Sequence, residues 1–171
     1  MTAFRNSGFM SSDFLEVGKD MEAMFESNGA LILEYNQGDV SPANIASIQA
    51  AIEESETMLD LSENWDDEGA KKIDPSVLKF AHEFTLDVAR WALYKFGFAV
   101  PAPRFGPVPD GGVNIYWKNS AYSLLINISP ESCPIANFYG EIEGRPVEGN
   151  LDLKDCESYL LFEFFKLNVR D

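Results

Sequence analysis

The hydrophobic period of this chain changes at Asp110-Gly111-Gly112, from the roughly 3.6-residue repeat of helices to the two-residue repeat of strands. Upstream, Ser41-Pro42 reads as a helix start, with the serine as N-cap and the proline in the first turn. Ile45, Ile48, Ile52 and Leu59 then form an inward stripe, and this helix is predicted to end before Asn64. Asp74-Pro75 opens a second, longer helix in which Val77, Ala81, Phe84, Val88, Trp91 and Ala92 recur at three- and four-residue spacing, up to Phe96 and a stop at Gly97.

Downstream, Val113, Ile115 and Trp117 alternate with Asn114, Tyr116 and Lys118. Asn119-Ser120 turns the chain, and Tyr122, Leu124, Ile126 and Ile128 alternate again. After a turn over residues 130–134, residues 135–143 read as a third strand. Residues 101–109 read as an extended proline-rich connector. Gly144-Arg145-Pro146 and Gly149-Asn150 read as breaks, and residues 152–167 as a final helix rich in Leu and Phe. Nearer the start, Phe14, Val17, Met21, Met24 and Phe25 share one face of a helix over residues 13–27, stopped by Asn28-Gly29, and residues 30–35 read as a short strand. The predicted fold is α+β: helices packed on a three-stranded antiparallel β-meander, with a C-terminal helix. It is predicted as one domain over residues 1–171, with 1–40 as an N-terminal elaboration, 41–100 as a helical pair and 101–171 as the meander plus the last helix.

Charge is distributed very unevenly over this framework. Between Lys19 and Lys71 there is no Lys, Arg or His but thirteen Asp and Glu. Residues 1–70 carry fifteen acids against two bases, whereas the remaining 101 residues carry thirteen against eleven. Such a surface repels nucleic acid backbones and anionic membranes, so neither direct nucleic-acid binding nor membrane binding is expected. A basic protein partner suits it better; the plainer reading is that the acids keep the chain soluble. Met1 is followed by Thr2-Ala3-Phe4-Arg5, without the pattern of a signal peptide, and no apolar run is long enough to span a bilayer. Cys133 and Cys156 fit no metal or redox spacing and read as inert thiols in a reducing cytoplasm.

The run Asn64-Trp65-Asp66-Asp67-Glu68-Gly69-Ala70 invites a calcium-loop reading, since Asn64, Asp66, Glu68 and Gly69 occupy positions one, three, five and six of an EF-hand loop. The twelfth position, which should supply a bidentate Glu, is Pro75, so no metal site and no cofactor is assigned there. His82 is the single histidine; it lacks the second histidine of a zincin motif and reads as a partly exposed helix residue. Asp110-Gly111-Gly112 precedes a strand, not a helix, and therefore reads as a turn, not a phosphate cradle. No catalytic residue is assigned. Trp65 either packs down with its indole N–H bonded locally, or stands out as an anchor ringed by Asp66, Asp67 and Glu68.

Asn64-Trp65-Asp66, Gly69-Ala70, Pro75 and then Pro107-x-Pro109-Asp110-Gly111-Gly112-Val113 together resemble a group of small uncharacterised bacterial and phage-borne proteins. The shared pattern is N-W-D-x-x-G-A, a proline, then P-x-P-D-G-G-V and alternating strands, and it covers about residues 60–130. The resemblance implies a setting akin to mobile elements or toxin–antitoxin pairs. It also implies that Asn64, Trp65, Gly69, Asp110, Gly111 and Gly112 form one structural framework. It carries over no catalytic residue.

The function expected from these observations is that of a non-enzymatic acidic interaction protein that neutralises or regulates a basic protein partner, in the manner of an antitoxin, immunity protein or phage inhibitor. In its sharpest form the acidic face imitates a phosphate backbone. The partner-binding residues are Glu53, Glu54, Glu56, Asp60, Glu63, Asp66, Asp67 and Glu68. Two alternatives stay open: a carboxylate-based enzyme, with or without a divalent ion, and a structural domain that homodimerises through an exposed sheet face or the Phe-rich last helix.

Overall fold

The computed structural model describes residues 42–169. The helix expected over residues 13–27, the strand over 30–35 and the Ser41 cap lie outside the described residues. The described chain runs α1 (Pro42–Ser55), a 3₁₀ turn (Glu56–Asp60), α2 (Pro75–Phe96), β1 (Arg104–Pro107), β2 (Val113–Lys118), β3 (Tyr122–Ile128), β4 (Ile135–Ile142), β5 (Arg145–Asp152), α3 (Tyr159–Phe165) and a closing 3₁₀ turn (Lys166–Val169). All five strands pair antiparallel in sequence order, a simple meander.

The two long helices follow from their start signals and stripes, with one correction. Asp74 caps α2 by accepting the Ser76 N–H, and Gly97 ends it in the left-handed region at φ 71°. In the first helix, Ile48 is fully buried, but Leu59 is 43% exposed and Met58, at 8%, takes the inward place. The cause is the switch from α to 3₁₀ at Ser55. Three residues per turn carry the inward direction from Ser55 to Met58, one position short of the place the α period assigns.

Among the described residues the sheet has five strands, not three. Arg104–Pro107, inside the supposed connector, pairs with β2 through Arg104↔Tyr116 and Pro107↔Val113. The supposed break after residue 143 is a tight hairpin: Glu143 and Gly144 both take positive φ, at 49° and 79°, the conformation of the turns that match strand twist. β5 then runs along β4 from Ile142↔Arg145 to Ile135↔Asp152. It hides from hydrophobic periodicity because it is an edge strand, where Pro146 is tolerated, and only Leu151 along it is buried. Gly149 lies opposite Phe138, whose ring would sit 3.0 Å from a Cβ at that position. The last helix also starts later than expected, at Tyr159. Asp152 and Asp155 each accept the N–H two residues on, from Lys154 and Glu157, and hold the chain in turns before Ser158.

One face of the sheet is the core. Val113, Ile115, Trp117, Tyr122, Leu124, Ile126, Ile128, Ala136 and Phe138 point into it and join one cluster with Ile48, Val77, Phe84 and Val88 of the helices. The Phe-rich last helix is spent inside: Leu161, Phe164 and Phe165 are fully buried. Phe164 and Phe165 stack edge-on against Tyr122, and Phe165 likewise against Trp117. A Cβ on Gly140 would meet the Phe164 ring at 2.7 Å, so glycine is what lets this helix settle on the sheet. The Trp117 indole N–H donates to the Pro101 carbonyl at 2.9 Å, fixing the approach to β1. No helix among the described residues is long and apolar enough to cross a membrane.

Candidate functional site

Between Pro42 and Ala70 there are eight acids and no base. Glu53, Glu54, Glu56, Asp60, Glu63, Asp67 and Glu68 are exposed, on the outer arc of the chain whose inner arc is Ile48, Ser55 and Met58. The four ion pairs among the described residues join Lys79 to Glu83, Arg90 to Asp87, Lys95 to Glu157 and Lys166 to Glu163. None involves an acid of this strip, so among the described residues its charge is unpaired.

Where the strip reaches residues 64–70 it becomes a built loop. Asn64 and Asp67 both sit at φ 62°, and Gly69 at 96°. Asn64 closes the loop twice: its N–H donates to the Ala70 carbonyl at 2.7 Å, and its Oδ1 accepts the Gly69 N–H at 2.7 Å. Asp66 Oδ1 accepts the N–H groups of Glu68 and Ala70 at 2.9 and 3.0 Å. These backbone donors hold the Asp66 carboxyl below its ordinary pKa, the bond from Ala70 most strongly. Asp66 is thus committed to the loop, and Asp67 and Glu68 are what the loop presents. Trp65 takes a middle course between the two expected states. It is half-buried, and its indole N–H donates to the Lys71 carbonyl at 3.1 Å.

The loop is stitched to the glycine turn. The Lys71 N–H donates to the Pro109 carbonyl at 2.8 Å, and the Asp74 N–H to the Gly111 carbonyl at 2.9 Å. Close approach needs the glycines. A Cβ on Gly111, already at φ 90°, would lie 2.8 Å from the Lys72 carbonyl oxygen, and one on Gly112 would lie 2.3 Å from that of Ile128. Asp110 anchors the turn by accepting the Gly112 N–H with Oδ1 and the Ser129 hydroxyl with Oδ2. Asn64, Trp65, Gly69, Asp110, Gly111 and Gly112 therefore sit in one hydrogen-bonded framework. Ser129 is its unforeseen member, because a lone serine at the end of a strand gives no sequence signal.

Among the described residues, His82, the two cysteines and the hydrogen-bonded aspartates lie in separate settings. His82 is half-buried, with Nε2 2.7 Å from Ser55 Oγ and its ring edge-on to Phe105 at 5.3 Å. Ser55 donates its own proton to the Ile52 carbonyl at 2.6 Å. With its proton on that carbonyl, Ser55 Oγ is open to accept from His82 Nε2 in the tautomer that carries the proton there. Burial lowers the His82 pKa, partly opposed by Glu56. Burial raises the thiol pKa of both Cys133 and Cys156, which favours the protonated thiol over the thiolate. Asp66 and Asp74 are held low by hydrogen bonds, whereas a general acid needs a raised value. Among the described residues no group of three or more His, Cys, Asp or Glu is placed to hold a metal ion.

The opposite face of the sheet carries a second surface that sequence reasoning did not assemble. The strand register sets Arg104, Tyr116, Leu125, Tyr139 and Glu148 side by side in one row across all five strands. A neighbouring row runs from Gly106 through Asn114, Asn127, Asn137 and Asn150. Asn127 Nδ2 donates to Asn114 Oδ1 at 2.9 Å. An open depression of about 380 Å³ lies over the β1 end of these rows, lined by Arg104, Phe105, Gly106, Asn114, Tyr116 and Leu125. The alternation had put Asn114, Tyr116 and Lys118 off the core, but with β1 and β5 unread their partners across the sheet could not be placed.

No protein-family model, curated protein sequence or solved structure matches this chain.

Proposed function

We propose that this protein is a binding protein whose acidic strip, Glu53 to Glu68, docks a basic protein partner and thereby neutralises or regulates it. The observation that carries the reading is the run of exposed carboxylates, unpaired among the described residues, one end of which rides on a rigid loop. Rigid presentation lowers the ordering cost of binding. Leu59, exposed at 43%, supplies an apolar contact among Glu56, Asp60 and Glu63, the composition of an anchor surrounded by charge. The resemblance to small bacterial and phage-borne proteins belongs to the same reading, an antitoxin-, immunity- or inhibitor-like role carried out in the cytoplasm. The carboxylate-enzyme alternative gains no specific support from the geometry.

Charge complementarity of this kind speeds association and weakens as salt shortens the Debye length, about 10 Å at 0.1 M. The test is affinity capture from the native host with the wild-type chain and a neutralised variant carrying Glu53→Gln, Glu54→Gln, Glu56→Gln, Asp60→Asn, Glu63→Gln, Asp67→Asn and Glu68→Gln. Asp66 is left in place to keep the loop. The wild type is expected to retain a basic protein that elutes with salt, and the variant to retain about ten-fold less. Equal capture by both chains, or capture indifferent to salt, would sink the reading.

A further inference from the structure

The open face of the sheet is self-complementary, and we infer that it pairs with the same face of a second copy of this chain. Among the described residues no helix covers this face, since the described helices pack on the other one. Its charges are sorted by strand. Arg104 and Lys118 lie on β1 and β2, and Glu141 and Glu148 on β4 and β5. None of the four joins an ion pair among the described residues. The strip between them is apolar or neutral: Tyr116, Leu125 and Tyr139, with the last 52% exposed, and the asparagine row beside them.

β3 is the middle strand of five. A two-fold axis lying between two facing sheets and running along β3 places β1 over β5, β2 over β4 and β3 over itself, while each row stays level. Arg104 of one copy then faces Glu148 of the other, and Lys118 faces Glu141. Tyr116 meets Tyr139, Leu125 meets Leu125 at the axis, and Asn114 meets Asn137. The depression above Gly106 lies opposite Asn150. Arg104, Lys118, Glu141 and Glu148 each find the opposite sign, Asp152 at the end of β5 lies outside this pairing, and the symmetry makes each contact twice, as an isologous interface requires. Sheets stacked face to face keep their strands within about 30° of each other, so the rows stay in reach across the twist.

Size tells what strength to expect. Strands about 4.8 Å apart with a rise of about 3.3 Å per residue give a footprint roughly 20 Å on a side. That falls below the roughly 800 Å² per partner of a standard stable interface, so the dimer is reversible and forms with rising concentration. The contact is separate from the acidic strip and does not rest on the binding reading above.

The test is sedimentation velocity on the full chain between about 1 and 200 µM, together with two charge-reversed chains. Arg104→Glu with Lys118→Glu makes the face wholly negative; Glu141→Lys with Glu148→Lys leaves Asp152 as its one acid in a positive face. All four residues are exposed, and circular dichroism checks that both variants fold. The wild type is expected to dimerise across this range, each variant alone to stay monomeric, and their equimolar mixture to form a heterodimer. A wild type that stays monomeric throughout overturns the proposal. So does a variant that dimerises like the wild type, or a mixture that stays monomeric.

Discussion

The acidic strip and the open sheet face are both charged surfaces, but they are made in opposite ways. The strip is consecutive chain, carries one sign, and owes its shape to bonds between near neighbours such as Asn64 with Gly69 and Asp66 with Ala70. The sheet face carries both signs in separate halves and is assembled by register from positions as distant as Arg104 and Glu148. A surface of one sign can only attract something else, whereas a surface with its signs sorted about a central strand can attract its own copy. The contrast suggests a division of labour, with the strip for a foreign partner and the sheet for self-association.

The joint between the two regions is where the largest effect is expected. Gly112→Ala drives a Cβ to 2.3 Å from the Ile128 carbonyl oxygen, at the start of β2 and beside the loop-bearing turn. It should cost about 2–4 kcal/mol in urea unfolding and loosen both surfaces together. A variant as stable as wild type would mean the two regions are not mechanically joined there.

Asn64→Ala removes the loop's closing side-chain bond and should cost about 1 kcal/mol. Faster amide exchange should be confined to residues 64–70. Exchange that speeds up equally on the sheet face would break the claim that the loop is locally built.

A smaller, pH-dependent effect distinguishes the helical side from the sheet. The His82 pKa lies below its ordinary 6.5 in the folded chain, so the unfolded chain takes up the proton first as pH falls. Stability is therefore complete above about 6.5 and declines below it, down to the folded pKa. Melting temperatures read from pH 8 to 5 should fall over this window in the wild type and stay flatter in His82→Gln, with a slope below one proton. The smallest effect is expected on the open face itself. Asn127→Ala there should change stability by no more than about 0.5 kcal/mol, because its bond to Asn114 joins two half-exposed side chains.

What could be read from the sequence follows the same contrast. α2 was legible because Asp74-Pro75, a clean stripe and Gly97 are all local signals. The central strands were legible because one face of each is buried, which forces alternation. β1 and β5 were not, because edge strands bury little and tolerate Pro107, Pro146 and Gly149, residues that ordinarily mark loops. The inward turn of Met58 was hidden by the change from α to 3₁₀, a backbone choice that no periodicity announces. Of the candidate surfaces, the strip needed only the order of residues. The sheet face needed the register, and therefore the two strands that could not be read.

The most direct test of the division of labour is partner capture at low and high salt by three chains: the wild type, the strip-neutralised variant and Arg104→Glu with Lys118→Glu. The account predicts that neutralising the strip removes salt-sensitive capture, while the sheet-face variant, made more acidic and monomeric, captures at least as much as wild type. Loss of capture in the sheet-face variant, or undiminished capture by the neutralised strip, would contradict it.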